Sequence, residues 1–313
     1  MTVLSSEELE KFEQEGYLLI HDVFSRDEVE AFREAIIKLK ANPNLLARSA
    51  RNWIVFRGSL FNYKILEGVP FDDRILEIAR SILGDSFVYF GDSSVQTGQG
   101  PRGLHRDNID RFALLGPDWN GDYPLLRMGI YIGDFVSNSG GLKIVPRSHR
   151  PLLPFAPPIL LRILSRAVRF LTPPWTWARN FVSLFQGGMN VPSRSGDVII
   201  WNFRLLHSSN AVKLKRHLDM ALPVWVEKAL PQRFRQPGSQ DRMVMFCAFA
   251  RKGGPLDRYL WVRHKSDLDN WKKTRWDERF VRLARERNVD LLKPDPDAGS
   301  LYAGLEPEES GHS

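Results

Sequence analysis

Hydrophobic and polar positions follow a helical spacing at the start of the chain and a shorter one later. Ser5 with Glu8 three residues on reads as a capping box opening a helix, and Gly16 reads as its stop. A short strand follows at Tyr17–Ile20. Ser25 with Glu28 is a second capping box. Val29, Phe32, Ile36 and Leu39 then recur on one face, predicting a helix to about Ala41, ended by Asn42-Pro43. Asp72 caps a third helix to Leu83, stopped at Gly84. Beyond it, residues 87–90, 93–97, 125–135 and 142–145 read as strands, with Gly140-Gly141 turning into the last. Residues 196–206 read as a buried strand after a turn, and a second apolar run spans 218–226. Residues 44–70 are mixed: Arg51, Trp53, Arg57 and Tyr63 line either a substrate entrance or a surface loop. No repeat of fixed period is visible. Many short strands with helices gathered at the ends predict a mainly β protein with flanking helices, a double-stranded β-helix or jelly roll.

One polar triplet stands out against this pattern. His105 and Asp107 are two apart, so in an extended stretch both side chains leave the same face. His207 ends the buried run 196–206 and is placed to join them. Two histidines and one carboxylate form the facial set that holds Fe(II) and leaves open positions opposite. Arg216 starts the next apolar run, within reach of the same cavity. Its planar fork suits a carboxylate, so the cavity fits an anionic co-substrate. Lys213 and Lys215 are the neighbouring cations.

At this point the chain resembles the phytanoyl-CoA dioxygenase family of non-haem Fe(II), 2-oxoglutarate-dependent oxygenases. His105-Arg106-Asp107, SGGLKIVPRSH at 139–149, GDVIIWNFRLLHSSNAVKLKR at 196–216 and the opening FEQEGYLLIHDVFSRDEVEAFREAI carry the resemblance, which covers about residues 8–227. It implies a jelly-roll fold, with His105, Asp107 and His207 as metal ligands. It implies Arg216, helped by Ser209, as the anchor of the far carboxylate of 2-oxoglutarate. It makes Tyr131 an aromatic wall and Gln96 a further residue of the co-substrate site. The implied reaction uses Fe(II), 2-oxoglutarate and O2 to hydroxylate an aliphatic C–H. Asp107 argues against halogenation, because related halogenases lack that carboxylate. The motifs do not specify a substrate.

Composition adds bounds. A single cysteine, Cys247, excludes an internal disulfide framework, and its apolar surroundings read as core. The polar, acidic N-terminus has no signal-peptide pattern, and no apolar run is long enough to span a bilayer. The expected location is cytoplasmic. A net charge of +7 favours acidic partners without choosing among them. Residues 152–196 contain no Asp or Glu, whereas Arg162, Arg166, Arg169, Arg179 and Arg194 punctuate them. Within this stretch 158–171 has helical spacing with arginines on one stripe, and Trp175, Trp177 and Phe181 follow. That composition fits a helix lying in a membrane interface, with peripheral contact through 157–181, or one packed on the jelly roll with its arginines in solvent. The interfacial reading makes an amphiphile, such as a lipid or lipid-linked sugar, the expected substrate; a soluble metabolite is the alternative. A non-catalytic jelly roll that binds lipid or sugar is the alternative from another class.

The C-terminal stretch interleaves cations with rings (Arg258, Tyr259, Trp261, Arg263, Trp271, Trp276), but Asp257, Asp267, Asp269, Asp277 and Glu278 would repel phosphate. A helical cap is expected rather than a nucleic-acid surface. His149, after a strand end, is expected to be structural, and 108–124 to form a flap. The domain plan is an oxygenase domain over 1–250 with a basic insertion at 151–195, a cap over 251–293 and a loose tail over 294–313.

Overall fold

The two predicted capping boxes form as reciprocal pairs. Glu8 Oε2 accepts from the Ser5 N–H at 2.8 Å while Ser5 Oγ accepts from the Glu8 N–H at 3.2 Å, opening α1 (Ser6–Glu15). Ser25 and Glu28 repeat the exchange at the start of α2 (Arg26–Ala41). These bonds satisfy amide donors that a helix start leaves without partners. Gly16 ends α1 at φ 79°, and a Cβ there would lie 2.2 Å from His149 Nδ1, so only glycine fits. His149 Nε2 bonds the Glu13 carbonyl at 3.1 Å, which gives this histidine a structural role.

The computed structural model describes residues 3–41, 47–50, 53–57, 64–98, 103–109, 117–137, 140–150, 188–236, 242–266 and 278–292. The remaining helices are α3 (Lys64–Glu67), α4 (Asp73–Leu83), α5 (Val224–Ala229), α6 (Gly254–Ser266) and α7 (Glu278–Glu286). The strands are β1 (Tyr17–Ile20), β2 (Ala47–Ala50), β3 (Trp53–Arg57), β4 (Phe87–Tyr89), β5 (Ser94–Gly98), β6 (Leu125–Tyr131), β7 (Leu142–Val145), β8 (Met189–Asn190), β9 (Val198–Asn202), β10 (Leu206–Ser209), β11 (Met243–Arg251) and β12 (Asp290–Leu291).

Two sheets result. The large one runs β1-β9-β6-β11-β5-β3-β2, with β4 also on β11 and β12 on β4; the small one runs β10-β7-β8. Strands distant in sequence are neighbours in both, the interleaving expected of a jelly roll. Helices cover one face of the large sheet. Met128 and Ile130 of β6, Ile200 of β9 and Met245, Cys247 and Phe249 of β11 pack there with Phe32 and Ile36 of α2, Ile75 of α4 and Phe280 of α7. Cys247 is core, and burial pushes its thiol up to about 12. The other face looks at the small sheet: Tyr131, Ile199, Trp201, Val244 and Phe246 share a cluster with Leu142 and Ile144.

Three expectations change. The run 196–206 is two strands in two sheets. β9 ends at Asn202, whose carbonyl accepts from the Leu205 N–H and whose side chain accepts from the Arg204 N–H, so the chain turns and crosses to β10. The apolar run 218–226 is not a strand: Leu218 and Met220 are exposed, only a single bridge joins Met220 to Met189, and helix α5 follows Pro223. Its apparent alternation has no buried face behind it. Residues 44–70 supply β2 and β3, which extend the large sheet; the side chains of Arg51, Trp53, Arg57 and Tyr63 lie outside the described residues. In the proposed flap, 117–124 is anchored, with Trp119 and Tyr123 buried. The insertion 151–187, residues 267–277 and the tail lie outside the described residues; the cap contributes α6 and α7.

Candidate metal centre

His105 and His207 face each other as a mutually bonded pair: each backbone N–H donates to the other's carbonyl at 2.9 Å. This pairing, between the stretch before Asp107 and β10, brings together side chains that are 102 positions apart in sequence. Their rings lie 4.6 Å apart between centroids. Asp107 follows on the same extended stretch, its N–H donating to the Phe203 carbonyl at 2.9 Å. One ligand atom from each of His105, Asp107 and His207 lies within 4.8 Å of the others. His207 Nε2 is 3.6 Å from Asp107 Oδ2.

The ring nitrogens are sorted by their partners. His105 Nδ1 sits 3.1 Å from the Gly103 carbonyl and His207 Nδ1 2.9 Å from the Leu205 carbonyl. A carbonyl only accepts, so each Nδ1 carries the proton and each Nε2 keeps its lone pair for a metal. Burial lowers the pKa of His207, which keeps the ring neutral. Burial works against the Asp107 carboxylate, but the Arg127 guanidinium overrides it and holds the group well below the usual range. Two imidazole nitrogens and one ionised carboxylate, with nothing else required, fit a divalent transition metal with open positions.

Around this set the inner face of the large sheet is polar. Arg127 on β6 donates through Nε to Asp107 Oδ2 at 2.9 Å and through Nη2 to Asp92 Oδ2 at 2.8 Å. Two positions along is Gly129, where a Cβ would meet Phe246 at 2.9 Å and Tyr131 at 3.0 Å. Next comes Tyr131, opposite Val244 of β11, which in turn lies opposite Gln96 of β5. Arg242, just before β11, is buried on this face with its guanidinium 6.0 Å from the Tyr131 ring centre. Burial lowers the pKa of Arg242 and raises that of Tyr131 to about 12, although the guanidinium pulls the phenol back. Arg242 Nη1 donates to the Gly98 carbonyl at 3.4 Å, while Tyr131 Oη, Arg242 Nε and Trp201 Nε1 are buried without a geometrically formed hydrogen bond among the described residues. Buried donors left this way are costly, and a carboxylate between them would satisfy them.

Most of the expected site converges. His105, Asp107 and His207 meet. Tyr131 faces inward, Gln96 shares its row across the sheet, and Ser209 lies on the same side of β10 as His207. Arg216 stands apart. It is exposed on the segment after β10, whereas the buried guanidinium beside Tyr131 belongs to Arg242. The signal that could have found Arg242 is its place directly before the longest apolar run of the C-terminal half, 243–250.

No protein-family model matches the chain. An ectoine dioxygenase from Sphingopyxis alaskensis is 25% identical over 163 residues, which cover 48% of the chain and 51% of that relative. The chain therefore matches about half the length of this curated relative. HygX from Streptomyces hygroscopicus, with nickel and 2-oxoglutarate bound, superposes with a TM-score of 0.52 at 19% identity, over 80% of this chain and 88% of HygX. HygX with nickel, 2-oxoglutarate and hygromycin B gives 0.51 at 18%, with the same coverage. The chain therefore shares the fold of HygX. Among the described residues no helix is long and apolar enough to cross a membrane.

Proposed function

We propose that the protein is an Fe(II)- and 2-oxoglutarate-dependent dioxygenase that hydroxylates an aliphatic C–H. The observation that carries this reading is the convergence of His105, Asp107 and His207 within 4.8 Å. When bound there, iron with O2 and 2-oxoglutarate supplies an oxidant able to attack an unactivated C–H. The chain's own residues hold and orient the reactants. The two Nε2 atoms and the Asp107 carboxylate take the metal. Arg242, rather than Arg216, pairs with the far carboxylate of 2-oxoglutarate, and the Tyr131 hydroxyl donates to the same group. Arg242 Nε and Tyr131 Oη, buried without a hydrogen-bond partner among the described residues, support this assignment. Gln96 and Ser209 border the co-substrate, and Val244, Phe246 and Trp201 keep water from its flank. Asp107 fills the position that a halide would need, which favours hydroxylation over halogenation.

The test is oxygen-dependent conversion of 2-oxoglutarate to succinate with added Fe(II). The expected result is turnover in the wild type that is lost in His207→Ala. Wild-type turnover in that variant would reject the assignment.

For the substrate, an amphiphile presented at an anionic membrane is the reading we favour. It rests on the acid-free, arginine-rich sequence 152–196 and on a second feature. Met220, Trp225 and Phe234 are exposed among the exposed cations Arg216, Lys228 and Arg233, and the segment carrying them bonds Gly188, where the insertion rejoins the described chain. Apolar rings set among cations suit an anionic leaflet. The relatives favour a second reading, a soluble small molecule, since HygX binds hygromycin B and the other relative is an ectoine dioxygenase. Co-sedimentation with vesicles containing anionic lipid separates the two. Binding that is lost on deleting 157–181 supports the membrane reading, and no binding by the intact chain supports the soluble one.

A further inference from the structure

We infer that Arg127 is a positioning residue for the metal carboxylate, and that Tyr259 of α6 holds Arg127 in place through Asp92. This inference rests on the metal reading of His105, Asp107 and His207. The ligands differ in how they are fixed. Each imidazole Nδ1 is tied to a carbonyl two residues away in its own stretch, Gly103 or Leu205. The Asp107 carboxylate is instead tied to another strand, through Arg127 Nε at 2.9 Å. Arg127 spends its fork on two acids, giving Nε to Asp107 and Nη2 to Asp92 at 2.8 Å, and lies 4.9 Å from the centre of the Phe203 ring. The Tyr259 hydroxyl donates to the same Asp92 oxygen, and Arg263 Nε donates to the Tyr259 oxygen at 2.9 Å. Arg127 and Tyr259 are buried, and Asp92 nearly so.

The chain of contacts Asp107–Arg127–Asp92–Tyr259–Arg263 thus runs from the metal set to α6. Its consequence is geometric. A guanidinium on Oδ2, the oxygen that lies 3.6 Å from His207 Nε2, holds the carboxylate in one orientation toward the imidazoles. A planar fork does this; a lysine could reach one acid and not both. Partners of this kind, one step behind the ligands, are typically worth about 10- to 100-fold in metal affinity.

The experiment uses the full, metal-free chain titrated with Co(II), read by calorimetry and by the visible absorption of the bound ion. The variants are Arg127→Met, Arg127→Lys and Tyr259→Phe, each checked for folding by its melting temperature. The inference expects Arg127→Met to bind Co(II) about 10- to 100-fold more weakly with a shifted spectrum, and Arg127→Lys to recover part of that loss. Tyr259→Phe, which leaves every charge in place, is expected to weaken binding by a few-fold, roughly 3 to 10. Should Arg127→Met fail to fold, Tyr259→Phe decides. Folded variants with a lower melting temperature but wild-type affinity and spectrum would overturn the inference and leave the network a purely structural one. A wild type that does not bind Co(II) would instead overturn the metal reading, and this inference with it.

Discussion

The two faces of the large sheet are built from alternate residues of the same strands and have opposite characters. On β6, Leu126, Met128 and Ile130 turn toward the helices, while Arg127, Gly129 and Tyr131 turn toward the small sheet. On β11, Met243, Met245, Cys247 and Phe249 face the helices, while Val244, Phe246 and Ala248 face inward, continued by Arg242. On β6 and β11 the helix side is apolar throughout. The inner side carries a buried guanidinium tied to two acids and, among the described residues, a second guanidinium and a phenol with unsatisfied atoms and an indole N–H without a partner. A fold gains nothing from such groups unless something binds them, because each buried polar atom without a partner costs free energy. One face therefore stabilises the protein, and the other trades stability for a site.

Substitutions on the two faces should separate accordingly. The largest expected effect is on the helix side. Ile130→Ala removes a fully buried side chain and should cost about 2–5 kcal/mol in urea unfolding, with the KM for 2-oxoglutarate unchanged. A raised KM there would break the division between the faces. Next is Arg242→Met on the inner side. Losing a buried charge-assisted pair should raise the KM for 2-oxoglutarate roughly 100-fold, about 3 kcal/mol, with little loss of stability. The smallest effect belongs to Arg216→Met, where the KM should stay within about twofold, as expected for an exposed cation outside the cavity. Succinate formed against 2-oxoglutarate concentration measures both. A reversed order, with Arg216 sensitive and Arg242 silent, would return the anchor to the residue that sequence spacing favours.

Much of this plan is legible in the sequence where the signal is local. The capping boxes at Ser5 and Ser25, the stops at Gly16 and Gly84, and the pairing of His105 with Asp107 are all set by neighbours a few residues apart. His207 is legible because it closes a buried run. The proposed anchor is not, because the excursion between β10 and β11 moves the next sheet strand to 243 and leaves Arg216 exposed beside the exposed Leu218 and Met220. The Asp92–Arg127–Tyr259 contacts are hidden for a different reason. They join β6, the turn before β5 and α6, and no spacing along the chain predicts a meeting of three such elements. The break of 196–206 into two strands is likewise a tertiary choice, made by Asn202 bonding its own turn and the Tyr123 carbonyl.

The most direct test is a crystal structure of the protein soaked with Mn(II) and 2-oxoglutarate without oxygen, with the metal located by its anomalous signal. The account predicts one metal ion on His105, Asp107 and His207, and a 2-oxoglutarate whose far carboxylate lies between Arg242 and Tyr131. A metal bound elsewhere, or a co-substrate carboxylate held by Arg216 in place of Arg242, would contradict it.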